Sequence, residues 1–179
     1  MENIVEILES DNSKEKIKIL ERLDTVDNPE ILEKIISKLN DDDIQVRGEA
    51  FSALVLNKNK ISNFLIDSLK STSKNIRGYA VLVLANRKEM SAIHEIIKLA
   101  NDESSMVRSC VIGALGHLRA QEAQEIFLKS LSDSNLEVRK SALQSIINLN
   151  VSLSDEKIRE INTENDLEIE KLLLKIKKK

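Results

Sequence analysis

Four segments of the chain align without a gap: DDDIQVRGEAFSAL (41–54), STSKNIRGYAVLVL (71–84), DESSMVRSCVIGAL (102–115) and DSNLEVRKSALQSI (133–146). Each holds one arginine, and Arg47, Arg77, Arg108 and Arg139 follow one another at intervals of 30, 31 and 31 residues. The apolar positions around that arginine keep a fixed pattern. One residue before it stands Val46, Ile76, Val107 or Val138; three after it, Ala50, Ala80, Val111 or Ala142; seven after it, Leu54, Leu84, Leu115 or Ile146. Steps of four fall on one face of an α-helix, so the pattern predicts four helices that bury the same face. Four residues before the arginine stand Asp43, Ser73, Ser104 and Asn135, side chains that can accept a bond from the first free amides of a helix.

The same period reaches two weaker copies. Upstream, Asn12 takes the cap position, Lys16 the arginine column and Leu23 the last apolar column; downstream, Asp166 is the cap, Ile169 the first apolar position, and Glu170 replaces the arginine. Between the capped helices lie amphipathic stretches at 2–9, 29–39, 60–70, 90–100 and 123–131, with a poorer one near 155–161. Pro29 suits the first turn of its helix, where no amide bond is lost. The predicted unit is helix, short turn, helix, with approximate bounds 1–27, 28–57, 58–88, 89–119, 120–150 and 151–179. One such pair cannot cover its own apolar stripe, whereas stacked pairs bury a continuous seam. A single all-α domain over residues 1–179 is therefore expected, its outer units acting as degenerate caps.

Composition sharpens this picture. With Gly 4, Pro 1 and aromatics at 2%, the core must be built of Leu, Ile, Val and Ala, a helix-packing vocabulary. The single cysteine, Cys110, rules out an internal disulfide and argues against structural zinc. The start, MENIVEILESDNSK, carries acids where a signal peptide needs bases, and no apolar run approaches the roughly 20 residues that cross a bilayer. A soluble cytoplasmic protein that meets no membrane is expected. Charge is uneven along the chain: residues 1–50 hold 14 acids and 7 bases, whereas 51–88 hold seven bases and one acid, Asp67.

The pattern D-x-D-x-x-V-R-x-x-A-x-x-A-L, seen in DDDIQVRGEAFSAL, DESSMVRSCVIGAL and DSNLEVRKSALQSI, resembles HEAT repeats, particularly the short variety named for phycobilin lyases. The likeness covers nearly the whole chain, strong in four units and degraded in the outer two. It implies a right-handed α-α superhelix, a solenoid of about six stacked helical hairpins. It also implies that the repeat's acids and arginines form a ladder between units, here Asp41, Asp102 and Asp133 with Arg47, Arg77, Arg108 and Arg139. Ser71 interrupts the acid column.

Three enzyme families built on similar scaffolds bear on chemistry. Deoxyhypusine hydroxylases place His-Glu pairs directly after the repeat arginine to hold two irons; here those places read Gly48-Glu49, Gly78-Tyr79, Ser109-Cys110 and Lys140-Ser141. HEAT-like alkylpurine DNA glycosylases rely on aromatics and a basic groove, whereas this chain has no Trp, one Tyr and a pI near 5.6. Phycobilin lyases remain an alternative, because their repeats match best. Cys110 and His117 share a helix face two turns apart, about 10 Å, too far for direct proton transfer. No catalytic residue, cofactor or metal is therefore expected.

In solenoids of the family it resembles, the second helices line the concave surface. Positions −2, +2, +5 and +9 from the arginine turn away from the core, and their centre holds Tyr79, Leu82, Asn86, Met106, Cys110 and His117. The expected function is a non-enzymatic scaffold or adaptor that binds a protein partner through this face. The alternatives are a bilin or small-molecule lyase accessory and, less favoured, a nucleic-acid binder using the bases of 51–88 with the tail Lys177, Lys178 and Lys179.

Overall fold

The computed structural model describes residues 4–161 and 166–177, and among them all regular structure is helical. Six first helices, α1 (Ile4–Glu9), α3 (Pro29–Ser37), α5 (Ser62–Ser68), α7 (Ile93–Ile97), α9 (Gln124–Ser130) and α11 (Asp155–Ile161), alternate with six second helices, α2 (Ser13–Leu20), α4 (Ile44–Leu56), α6 (Lys74–Asn86), α8 (Ser105–His117), α10 (Leu136–Leu149) and α12 (Leu167–Lys177). The second helices thus begin at Ser13, Ile44, Lys74, Ser105, Leu136 and Leu167, in step with the arginine period. No helix among the described residues is long and apolar enough to cross a membrane.

The second helices start where the cap residues predict. Side chains of Asn12, Asp43, Ser73, Asn135 and Asp166 accept amide hydrogens from the first turns of α2, α4, α6, α10 and α12. Ser104 differs, for its side chain makes no capping bond. The turn before α8 keeps the bond from the Ser104 amide to Asp102 Oδ1, at 2.9 Å.

Four of the first helices, α3, α5, α7 and α9, are shorter than their amphipathic stretches. Over 90–100 only Ile93–Ile97 is α-helical, preceded by a single 3-10 turn at Met90–Ala92, and over 60–70 only Ser62–Ser68 is. Apolar periodicity reports burial rather than amide bonding: Ile61, Leu69 and Ala92 are core residues that lie just outside the α-helices.

Two compact units divide the chain, residues 1–95 and 96–179, with the boundary inside α7. In unit 1, α2 packs on α4 and α4 on α6, while α3 lies beside α5. In unit 2, α10 is central, packed on α8, α9 and α12. The repeat's apolar columns form both cores. Ala50, Ala80, Val111 and Ala142 are fully buried, as are Leu54, Leu84, Leu115 and Ile146. In the column before the arginine, Val46, Val107 and Val138 are 0% exposed, whereas Ile76 is only half-buried.

Unit 2 holds a close helix crossing. A Cβ on Gly116 of α8 would come within 2.6 Å of Ser145 Cβ and 2.9 Å of its Cα on α10. Ser145 is buried at this crossing, its hydroxyl between the carbonyls of Ile112 at 2.9 Å and Ser141 at 2.8 Å. Gly116 therefore serves close approach, not backbone freedom. Gly116→Ala must push backbone apart, and a loss of about 1–3 kcal/mol is expected in chemical denaturation; the same change at Gly113, where a Cβ meets open space, should not destabilise.

Candidate functional site

The repeat arginines work first inside their own turns. Nη1 of Arg47 donates to the carbonyls of Asp41 and Asp42, that of Arg77 to Ser71 and Thr72, that of Arg108 to Asp102 and Glu103, and that of Arg139 to Asp133. The residue six before the arginine completes the turn by accepting the cap amide: Asp41 from Asp43 at 3.1 Å, Ser71 from Ser73 at 3.2 Å and Asp133 from Asn135 at 2.8 Å. A hydroxyl serves this purpose as well as a carboxylate, so Ser71 interrupts the acid column without disturbing the turn.

Rungs between repeats are more selective. In unit 2, Arg108 grips Asp133 with Nε at 2.8 Å and Nη2 at 2.9 Å. That guanidinium holds the Asp133 carboxyl below the usual carboxylate range. In unit 1 the rung is made by the degenerate copy, Lys16 Nζ to Asp41 at 2.7 Å. Burial pushes the Asp41 carboxyl up, but Lys16, the Asp43 amide and Lys38 together pull it below its ordinary value. Arg47, facing Ser71, makes no ion pair among the described residues, and neighbouring contact is carried by Ser73 and Asn75, both donating to Asn40 Oδ1 at 2.9 Å. In the last rung Lys140 lies 2.9 Å from Glu168 and 3.3 Å from Asp166.

One structural arginine escaped sequence reasoning. Arg87 donates through Nη1 to the carbonyls of Leu54 at 3.0 Å and Asn57 at 2.6 Å, and through Nη2 to Asn59 at 2.9 Å. It closes the C-terminal end of α4 from the following repeat. The later second helices close themselves with a left-handed residue, Lys88, Arg119 and Asn150 at φ 57°, 54° and 56°. Their spacing by the repeat period was the available signal, hidden because none is glycine.

These placements change the reading of the basic segment 51–88. Arg77 and Arg87 donate to backbone carbonyls, Lys58 lies 3.1 Å from Asp24, and Lys70 lies 3.3 Å from Asp67. Only Lys60, Lys74 and Lys88 of the seven lack a partner among the described residues. The side chains of the tail, Lys177 to Lys179, lie outside those residues.

The residues expected to face a partner fall in both units. On unit 1, Tyr79 and Leu82 are half-buried along α6, and Asn86 is exposed, its amide donating to the Leu82 carbonyl at 2.8 Å. Tyr79 meets Phe51 of α4 edge to face, with ring centroids 6.4 Å apart and planes at 67°. Leu56, at the end of α4, is 65% exposed. Phe51 sits one residue outside the positions that the helical register selected, which is why the pattern alone did not bring it to Tyr79.

On unit 2, Met106 and Cys110 are half-buried and His117 is exposed along α8. The Cys110 thiol donates to Met106 Sδ at 3.7 Å. Burial pushes that thiol up to about 11. A thiol so raised is almost wholly protonated at neutral pH and is a poor nucleophile. Native protein at pH 8 is therefore expected to react with a disulfide reagent about 100-fold more slowly than unfolded chain, whose thiol titrates near 8.5. The native rate should keep rising with pH beyond 10; a plateau near pH 8 would contradict it.

Unit 2 also holds a cleft of about 490 Å³ at the end of α10, lined by Ile147, Val151, Leu153, Ile158 and Ile176 with Asp155 as its charged group. Among the described residues no group of three His, Cys, Asp or Glu side chains is placed to hold a metal ion.

Comparison with known proteins agrees with the helical repeat. A family model of HEAT repeats matches residues 62–147, and a model of HEAT repeats associated with sister chromatid cohesion matches residues 18–48. No curated protein sequence matches the chain. Among solved structures it is similar to a computationally designed armadillo repeat protein for modular peptide recognition, with TM-score 0.62, 19% identity, and 98% of this chain and 97% of that one covered. A designed armadillo repeat protein in complex with the peptide (KR)4 gives 0.60, 19%, 98% and 97%. The complex of CpcE and CpcF of phycocyanin lyase from a Nostoc species gives 0.60, 20%, 96% and 73%. At such identities the likeness is one of fold.

Proposed function

The chain is a HEAT-repeat protein, and from that premise we propose that it is a binding scaffold whose second helices carry the contact surface for a protein partner. The observation that carries this reading is the aromatic and aliphatic face of unit 1. Phe51, Tyr79 and Leu82 are half-buried and Leu56 is exposed, although all four lie outside the fully buried columns that hold the repeat together. Apolar side chains left in water beside polar Asn75 and Asn86 suit the centre and rim of a protein interface. Within unit 2, Met106, Cys110 and His117 are the residues that carry the same reading.

Two similar structures support the class of partner. One armadillo design is bound to a peptide, and CpcE is found with a protein partner, CpcF. A bilin-binding role has less support. The unit 2 cleft has an acidic residue and no base in its lining, whereas bilins carry carboxylates that call for cations. A nucleic-acid role has less support, since Arg77 and Arg87 of the basic segment 51–88 donate to backbone carbonyls.

The experiment is capture of partners by the tagged full chain, compared with the double variant Tyr79→Glu, Leu82→Glu. Loss of the captured partner by about tenfold or more is expected, the scale of two interface anchors, with helicity and melting unchanged. Full retention of partners by a folded double variant would overturn the proposal.

A further inference from the structure

Unit 1 has another recess, between its first helices α3 and α5, enclosing about 450 Å³. Ile36, Phe64 and Ile76 supply its apolar lining, and Glu33, Asp67 and Lys70 its charged lining. Two observations set it apart. The first is Ile76, the one member of its column that stays half-buried, because this recess reaches it. The second comes from unit 2, where the corresponding recess of about 620 Å³ lies between Ile97–Asn101 and α9. There the place of Asp67 is taken by Lys129, whose Nζ donates to Asn101 Oδ1 at 3.3 Å, and the place of Ser71 by Asp133, clamped by Arg108. The unit 2 recess, though larger, thus carries a guanidinium–carboxylate pair in its wall, whereas the unit 1 recess has Ser71 there and no such pair.

The charge at the unit 1 recess is negative. Glu33 is exposed, as is Glu30 one turn earlier on α3, and Asp67 has a side chain 76% exposed. Lys34 of α3 pairs with Glu9, though it also feels the charges of Glu30 and Glu33, and Lys38, just after α3, pairs with Asp41. Lys70 is the one base in the lining, and its pair with Asp67 at 3.3 Å is solvent-exposed on both sides, so an incoming cation can replace it at little cost. We propose that this recess docks a short segment of a partner protein that presents an aliphatic or aromatic side chain flanked by lysine or arginine. The apolar side chain covers Ile76 and Phe64, and the base pairs with Glu33 or Asp67. The proposal does not depend on the second-helix face.

A fluorescein-labelled lysine–leucine peptide (KLKKLK) titrated against the full chain at low salt tests it by anisotropy, beside the glutamate–leucine counterpart (ELEELE). Saturable binding of the first peptide alone is expected. The variant Glu33→Lys, Asp67→Lys, which alters only exposed side chains, should weaken binding by about tenfold or more. The variants Tyr79→Glu, Leu82→Glu and the charge-matched Glu6→Lys, Glu21→Lys should leave it unchanged. No saturable binding, equal binding of both peptides, or equal weakening by the Glu6 and Glu21 control would overturn the proposal.

Discussion

A helical hairpin of this chain cannot bury its own apolar stripe, so every second helix must find another second helix to cover it. That constraint explains which positions tolerate no water. The columns three and seven after the arginine are fully buried in all four strong repeats, and small residues dominate the first of them. Small side chains there let helix axes come close. The limit is reached at Gly116 and Ser145, where α8 and α10 leave no room for a Cβ and a serine hydroxyl shares the carbonyls of the crossing. Apolar burial supplies the attraction, and side-chain size sets the distance.

Polar groups then fix each turn rather than hold the stack. The guanidinium of each strong repeat satisfies carbonyls of its own turn, which would otherwise lie half-buried without donors. Only afterwards do some of these side chains reach the next repeat, as Arg108 does to Asp133. This order of duties explains why lysine can stand in at Lys16 and serine at Ser71 without loss of the fold. Helix ends obey the same accounting: α4 has its last carbonyls satisfied by Arg87, while α6, α8 and α10 end in left-handed residues.

Much of this could be read from residues alone, because the period, the cap positions and the buried columns are local properties repeated many times. The second helices begin where Asp43, Ser73, Ser104 and Asn135 said they would. What escaped were relations between repeats that differ from one to the next. Arg87 looked like one more surface base, and only its distance to carbonyls of the preceding repeat reveals its part. Phe51 lay just off the selected face, yet an aromatic ring is wide enough to reach Tyr79 across helices. Ile76 shared its column with three valines, but it lines a recess beside the serine at position 71 and stays half-buried. Periodicity predicts the average repeat and not the departures from it.

The direct measurement of the central claim is removal of one full period. Deleting residues 104–134 joins Glu103 to Asn135 and brings one cap into the place of another. If the columns are equivalent, the shortened chain keeps its helicity per residue by circular dichroism and unfolds cooperatively in urea, whereas a chain lacking residues 112–140, which joins Val111 to Ser141 inside one helix and turns the following columns about 200° from the preceding ones, does not. Equal collapse of both shortened chains would show that the buried columns are not interchangeable, contrary to the account given for the fold.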